Sequence, residues 1–142
     1  MSIAVPVSLP LSLQAALVAR AKADPALTAE TGGRFFDHVP PEAAFPYVSL
    51  GPEDEVADTA DCIEGADITF QLDVWSRAAG DPGWPEAKRI ARRLKELFHE
   101  QPIEIEGGHV LELEWLSTRY LRDPDGTTRH AALTFRALTE ED

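Results

Sequence analysis

Apolar residues recur along this chain with two different periods, and the period assigns the elements. Leu9, Leu13, Ala16, Leu17 and Ala21 fall on one helical face while Gln14, Arg20 and Lys22 lie off it, which predicts a helix over 9–24. Ser8 followed by Pro10 marks its start. Asp24-Pro25 marks its end, because proline disfavours helical backbone at the residue before it. A linker with Gly32-Gly33 follows. A second helix is predicted over 85–101, where Ala87, Ile90, Ala91, Leu94, Leu97 and Phe98 form one stripe and Lys88, Arg89, Arg92, Arg93 and Lys95 take the other side.

A period of two marks the strands. In 68–76, Ile68, Phe70, Leu72 and Val74 alternate with Thr69, Gln71, Asp73 and Trp75. Segments 34–38 and 47–51 read as short strands around Pro40-Pro41 and Phe45-Pro46. Segment 110–122 reads as a long strand whose apolar phase passes from Leu111, Leu113 and Trp115 to Leu116, the signature of a bulge or a change of face. Asp123-Pro124-Asp125-Gly126 is a turn. The last strand, 129–138, places Ala131, Leu133, Phe135 and Ala137 on one face, and 140–142 is an acidic end. The sum is an α+β fold: an antiparallel or mixed β-sheet with two α-helices packed on one face, in a single domain spanning 1–142.

The 142 residues carry 25 acids against 13 bases, a formal net charge of −12. Such a surface repels phosphate backbones and anionic lipid. Seven of the acids fall in 52–67, which holds no base and reads as an exposed loop or a hairpin end. The single cysteine, Cys62, excludes an internal disulfide framework and points to a reducing compartment. The N-terminal stretch lacks a charged leader and is broken by Pro6 and Pro10, so the expectation is a soluble, cytoplasmically made chain without a membrane partner.

Candidate chemistry is sparse. His38, His109 and His130 lie near predicted strand ends, and with Asp123 they are the one combination that models a metal-dependent hydrolase. His99 stands apart, and scattered histidines are the simpler reading. Cys62 sits among carboxylates that suppress its thiolate. No serine lies in a GxSxG elbow, and Gly32-Gly33 and Gly107-Gly108 match no phosphate-binding loop. Glu112 and Glu114 share a face two residues apart, which models a paired-carboxylate site, but a solvated sheet face is by far the simpler reading. Neither a catalytic residue nor a cofactor site is assigned. Two tryptophans are placed for contact instead. Trp75 lies opposite the apolar alternation of its strand, and Trp84 precedes the second helix from a Gly/Pro loop.

In order, the chain contains Ala23-Asp24-Pro25-Ala26-Leu27-Thr28, Gly33-Arg34-Phe35-Phe36-Asp37, Phe45-Pro46-Tyr47-Val48, Leu72-Asp73-Val74-Trp75-Ser76-Arg77, Ala87-Lys88-Arg89-Ile90, then 120–130 leading into Leu133-Thr134-Phe135-Arg136-Ala137. This succession resembles the tail completion, or tail terminator, proteins of long-tailed bacteriophages and gene transfer agents, over roughly residues 10–138. The resemblance implies a non-enzymatic virion protein of the tail and neck region. Its members form a six-membered ring on the head-proximal end of the tail tube, stop tube growth and dock head-completion, or stopper, proteins. Double-stranded DNA passes through the opening without specific binding. For such a ring the expected partners are other copies of the chain, the major tail tube protein and the head-completion protein. The expected subunit contacts are Trp75, Arg77, Trp84, Arg89 and Arg93. An adaptor that binds a basic partner through its acidic segment is the competing non-catalytic reading.

Overall fold

The computed structural model describes residues 7–58, 64–77 and 84–142, and Cys62 and the 78–83 part of the Gly/Pro loop lie outside them. Among the described residues the order is α1 (Leu9–Ala23), α2 (Pro25–Thr31), β1 (Phe35–Phe36), β2 (Tyr47–Ala57), β3 (Gly65–Ser76), α3 (Pro85–Phe98), β4 (Glu104–Ile105), β5 (Gly108–Arg122) and β6 (Arg129–Glu141). The strands form one mixed sheet in the order β1-β2-β3-β6-β5-β4. Only β1 and β2 run parallel. This is the α+β class that the apolar periods predict.

Strand alternation sorts the side chains. Ile68, Phe70, Leu72 and Val74 of β3 and Ala131, Leu133, Phe135 and Ala137 of β6 turn to the helix side and are buried. Leu13 and Leu17 of α1 and Ile90, Leu94 and Phe98 of α3 close over them in the same cluster. Phe70 and Phe135 stack at 5.3 Å, and Phe98 meets Phe135 edge-on at 6.1 Å. Among the described residues the opposite sheet face carries no helix and holds polar pairs and an aromatic corner, with Arg136 bonding Asp67 through two nitrogens at 2.7 and 2.9 Å.

Three details differ from the sequence expectation, and one choice it left open is decided. The chain has a third helix, because Asp24-Pro25 does more than stop α1. Proline at the first position of a helix loses no hydrogen bond, and Asp24 supplies the cap. The acidic segment is a hairpin end: β2 continues to Ala57 and β3 begins at Gly65, with Asp54 opposite Thr69 and Val56 opposite Asp67. Ladder pairing overrides the weak strand propensity of the acids. Gly51 and Pro52 form the bulge where register shifts between Leu50 and Glu53. Lastly, α3 ends at Phe98 rather than 101, because Glu100 takes a left-handed φ of 55° and gives its N–H to the Leu113 carbonyl of β5. The phase break in 110–122 is real: register shifts between Trp115 and Ser117, leaving Leu116 as the extra residue, and again between Val110 and Glu112.

One carboxylate joins all three helices. Asp24 closes α1, and its side chain accepts from the Leu27 N–H at 2.9 Å to open α2. It also accepts from Arg93 of α3 at 2.8 and 2.6 Å. The Arg93 guanidinium, helped by the Leu27 N–H, holds the Asp24 carboxyl below its ordinary value against the opposing effect of burial. A carboxyl lowered on folding contributes fully above its unfolded pKa of about 4 and loses that contribution as pH falls through the folded value.

Denaturant titration should show Asp24→Asn losing about 1–3 kcal/mol at pH 7, since the cap survives but the charged pair does not. The gap between wild type and this variant should then shrink as pH drops below about 4. Asp24→Ala should cost about 1 kcal/mol more, because the cap goes too. Phe70→Ala and Leu94→Ala should each destabilise by about 2–5 kcal/mol in the same assay, as expected for truncating fully packed core side chains.

Candidate functional site

Segments far apart in sequence meet at one corner of the open sheet face. Register places Tyr47 opposite Trp75, and Trp75 opposite His130. The Trp75 indole lies flat on the His130 ring, 3.9 Å between centroids and 10° between planes. Its N–H donates to the Ser49 hydroxyl at 3.0 Å. Beneath, the buried Asp73 carboxylate lies 2.6 Å from His130 Nε2 and accepts from the Gln71 amide at 2.8 Å. Tyr47 packs against Phe36, Phe45 and Trp75. The Phe45-Pro46 peptide is cis.

Arg77 ties this corner to the β5–β6 turn. Its guanidinium sits 4.4 Å over the Phe45 ring, and it donates to Thr128 Oγ1 at 2.6 Å and to Asp125 at 3.1 Å. Asp125 also accepts from the N–H groups of Thr127 and Thr128 and from the Thr128 hydroxyl. Thr128 first, then Thr127 and Arg77, hold the Asp125 carboxyl far below its ordinary value. The turn itself closes through the Gly126 N–H to the Asp123 carbonyl, with Gly126 at a φ of 77° that favours glycine.

The second tryptophan lies elsewhere. Trp84 precedes α3 and meets Tyr120 of β5 edge-on at 5.5 Å. Arg129 is buried beside it, 5.7 Å from the indole ring. Trp75 thus borders the β2 side of the sheet, and Trp84 the β5 side. Arg89 and Arg93 both face α2, Arg89 pairing with Glu30 at 3.0 Å and Arg93 with Asp24. The five residues assigned to subunit contact therefore occupy three places rather than one patch.

Ser49, His130 and Asp73 have the residue types of an acyl-transfer triad, but the Ser49 hydroxyl accepts from Trp75 while His130 turns Nε2 to the aspartate. The histidines do not converge. His130 lies opposite Leu121 near one end of β5, and His109 lies opposite Glu140 at the other, where it contacts Asp142 at 2.7 Å. Ten residues of strand, about 33 Å, separate their levels. Among the described residues no group of three or more His, Cys, Asp or Glu side chains could hold a metal ion. Glu114 is drawn to Arg136 at 3.7 Å, opposite which it sits in register. Sequence reasoning missed Asp73 and His130 as a polar pair; the period-two pattern marked both as outward but carried no sign of the strand pairing that joins them.

No helix among the described residues is long and apolar enough to cross a membrane. The family model of tail completion protein gp17 matches residues 15–140. A curated relative, the tail completion protein gp17 of Bacillus phage SPP1, is 26% identical over 92 residues, which are 65% of this chain and 66% of the relative. The chain thus spans just under two thirds of that relative's length. Among solved structures, a chain from the virion of a native gene transfer agent particle superposes with a TM-score of 0.86 at 29% identity, covering 95% of this chain and 99% of the other. The matched segment runs from within α1 into β6 and takes in the Trp75 corner, the Asp24 joint and nearly the whole sheet. The chain belongs to the tail completion protein gp17 family and is a structural virion protein of the phage and gene transfer agent type.

Proposed function

We propose that this chain, acting as one domain, is a ring-forming tail terminator. Six copies cap the head-proximal end of the tail tube and offer a surface to head-completion proteins. The observation that carries this reading is the likeness over 95% of the chain to a component of a gene transfer agent virion. The protein works by geometry and not by catalysis. A closed ring of identical subunits needs two different patches per copy that fit one another. The two tryptophans border opposite sides of one sheet, which supplies distinct surfaces for that purpose. A net charge of −12 also favours passage of double-stranded DNA through an opening without retention.

Trp75, Arg77, Trp84, Arg89 and Arg93 are the proposed contact residues. Arg89 and Arg93 already serve α2, so the tryptophans carry the greater share of the assembly energy. Light scattering of the chain mixed with tail tube protein, and electron microscopy of the product, should show a six-fold ring at one tube end. A chain that stays monomeric both alone and with tubes would overturn this function. Trp84→Ala should weaken ring formation by about 2 kcal/mol or more, the scale of an aromatic anchor, while shifting subunit stability less. Trp75→Ala should weaken assembly as well and also lower stability by about 1–3 kcal/mol, because the His130 stack and the Ser49 hydrogen bond are lost.

A further inference from the structure

Two runs of backbone, on opposite edges of the sheet, have no strand partner on their outer side among the described residues. Along β5, β4 covers only Gly108 and His109. The end of α3 then serves Leu113, whose carbonyl accepts from the Glu100 N–H at 2.8 Å, and Trp115, whose N–H donates to His99 Nδ1 at 2.9 Å. Beyond Trp115 the outer edge is bare through 116–122. Along β2, β1 reaches only Val48 and Ser49, and Pro52 offers no N–H. From there the outer edge is bare through 53–57.

The two runs are opposite in charge. The β5 run carries Arg119 and Arg122 and no acid, and the β2 run carries Glu53, Asp54 and Glu55 and no base. None of these five side chains has an ion-pair partner among the described residues. Both runs also expose apolar side chains: Val56 is 61% exposed on one, and Leu116 46%, Tyr120 42% and Leu121 37% on the other. A bare edge joins whatever strand fits it unless charge or shape prevents the pairing. Two β5 edges brought together would set arginine against arginine, and two β2 edges acid against acid. Only the unlike combination is attractive.

We propose that the 116–122 edge of β5 pairs with the 53–57 edge of β2 from a second copy, continuing the sheet from subunit to subunit. Five residues at about 3.3 Å each span about 17 Å and fit within the seven available on β5. Main-chain hydrogen bonds join the strands, the Arg119 and Arg122 side chains meet the acids, and Val56 covers apolar side chains of β5. Each copy owns both edges, so the contact repeats in one direction around a ring. This inference rests on the ring reading and deepens it.

The test uses two charge-reversed full-length chains, one with Asp54→Lys and Glu55→Lys, the other with Arg119→Glu and Arg122→Glu. All four side chains are exposed, so melting temperatures should stay near wild type. Each chain alone should lose at least tenfold in self-association, read by light scattering and by ring counts in electron micrographs with tail tubes present. An equimolar mixture should recover assembly, because alternation restores attraction at every contact: lysine meets glutamate at one, and native acids meet native arginines at the next. If either chain alone assembles like wild type, or if both fail and the mixture fails too, the edge pairing is overturned, while wild-type rings in the same experiment keep the ring reading. If wild type itself stays monomeric with and without tubes, the ring reading falls and takes the pairing with it.

Discussion

β6 exchanges hydrogen bonds with β3 on one side and with β5 on the other along nearly its whole length. That double pairing fixes which residues turn toward the helices. Phe135 of β6 sits between Phe70 and Phe98, so the same strand that sets the register also centres the packing between sheet and helices. The rest of the subunit is referred to this axis. β2 hangs on β3, α3 crosses over β3, β6 and β5, and the Asp24 joint ties α1 and α2 to α3. A buried strand of this kind has no tolerance for a slipped register, because a one-residue shift would turn Leu133 and Phe135 to the polar face.

Alternation and helical stripes made the core legible from sequence. Ile68, Phe70, Leu72 and Val74 on one strand, and Ile90, Leu94 and Phe98 on one helix, declare their faces because burial imposes a period on them. The phase break at Leu116 was legible for the same reason. What was hidden has a physical cause in each case. Asp24 serves two helices with one side chain, and an isolated reading of Asp-Pro shows only the end of the first. The charge run in 52–67 leaves loop and hairpin end both open, and only pairing with a strand downstream decides for the hairpin. Asp73 and His130 are 57 residues apart, and only the register of β3 with β6 makes them neighbours.

The open sheet face shows how a polar surface can still be rigid. Asp73 is satisfied by His130 and Gln71, Asp125 by a threonine hydroxyl, two backbone N–H groups and Arg77, and Asp67 by Arg136. Charge-assisted bonds of this geometry hold side chains in place more firmly than neutral ones do. At the Trp75 corner, the rings of Phe45, Tyr47 and Trp75 pack beside the Asp73 and Asp125 pairs. A structural component that must present a fixed shape to neighbours is well served by such a surface, since little conformational freedom remains to be lost on contact.

Register shifts at Gly51-Pro52 in β2 and at Leu111 and Leu116 in β5, and past Gly51-Pro52 and Leu116 the two strands become the bare outer edges while staying paired with β3 and β6. An extra residue at such a point lets the outer half of a strand adopt its own phase without disturbing the inner half. Side-chain changes on the bare edges are thereby insulated from the folding requirement. A substitution on the outer side of these edges therefore alters what a neighbour meets without forcing Phe70, Leu133 or Phe135 out of the interior.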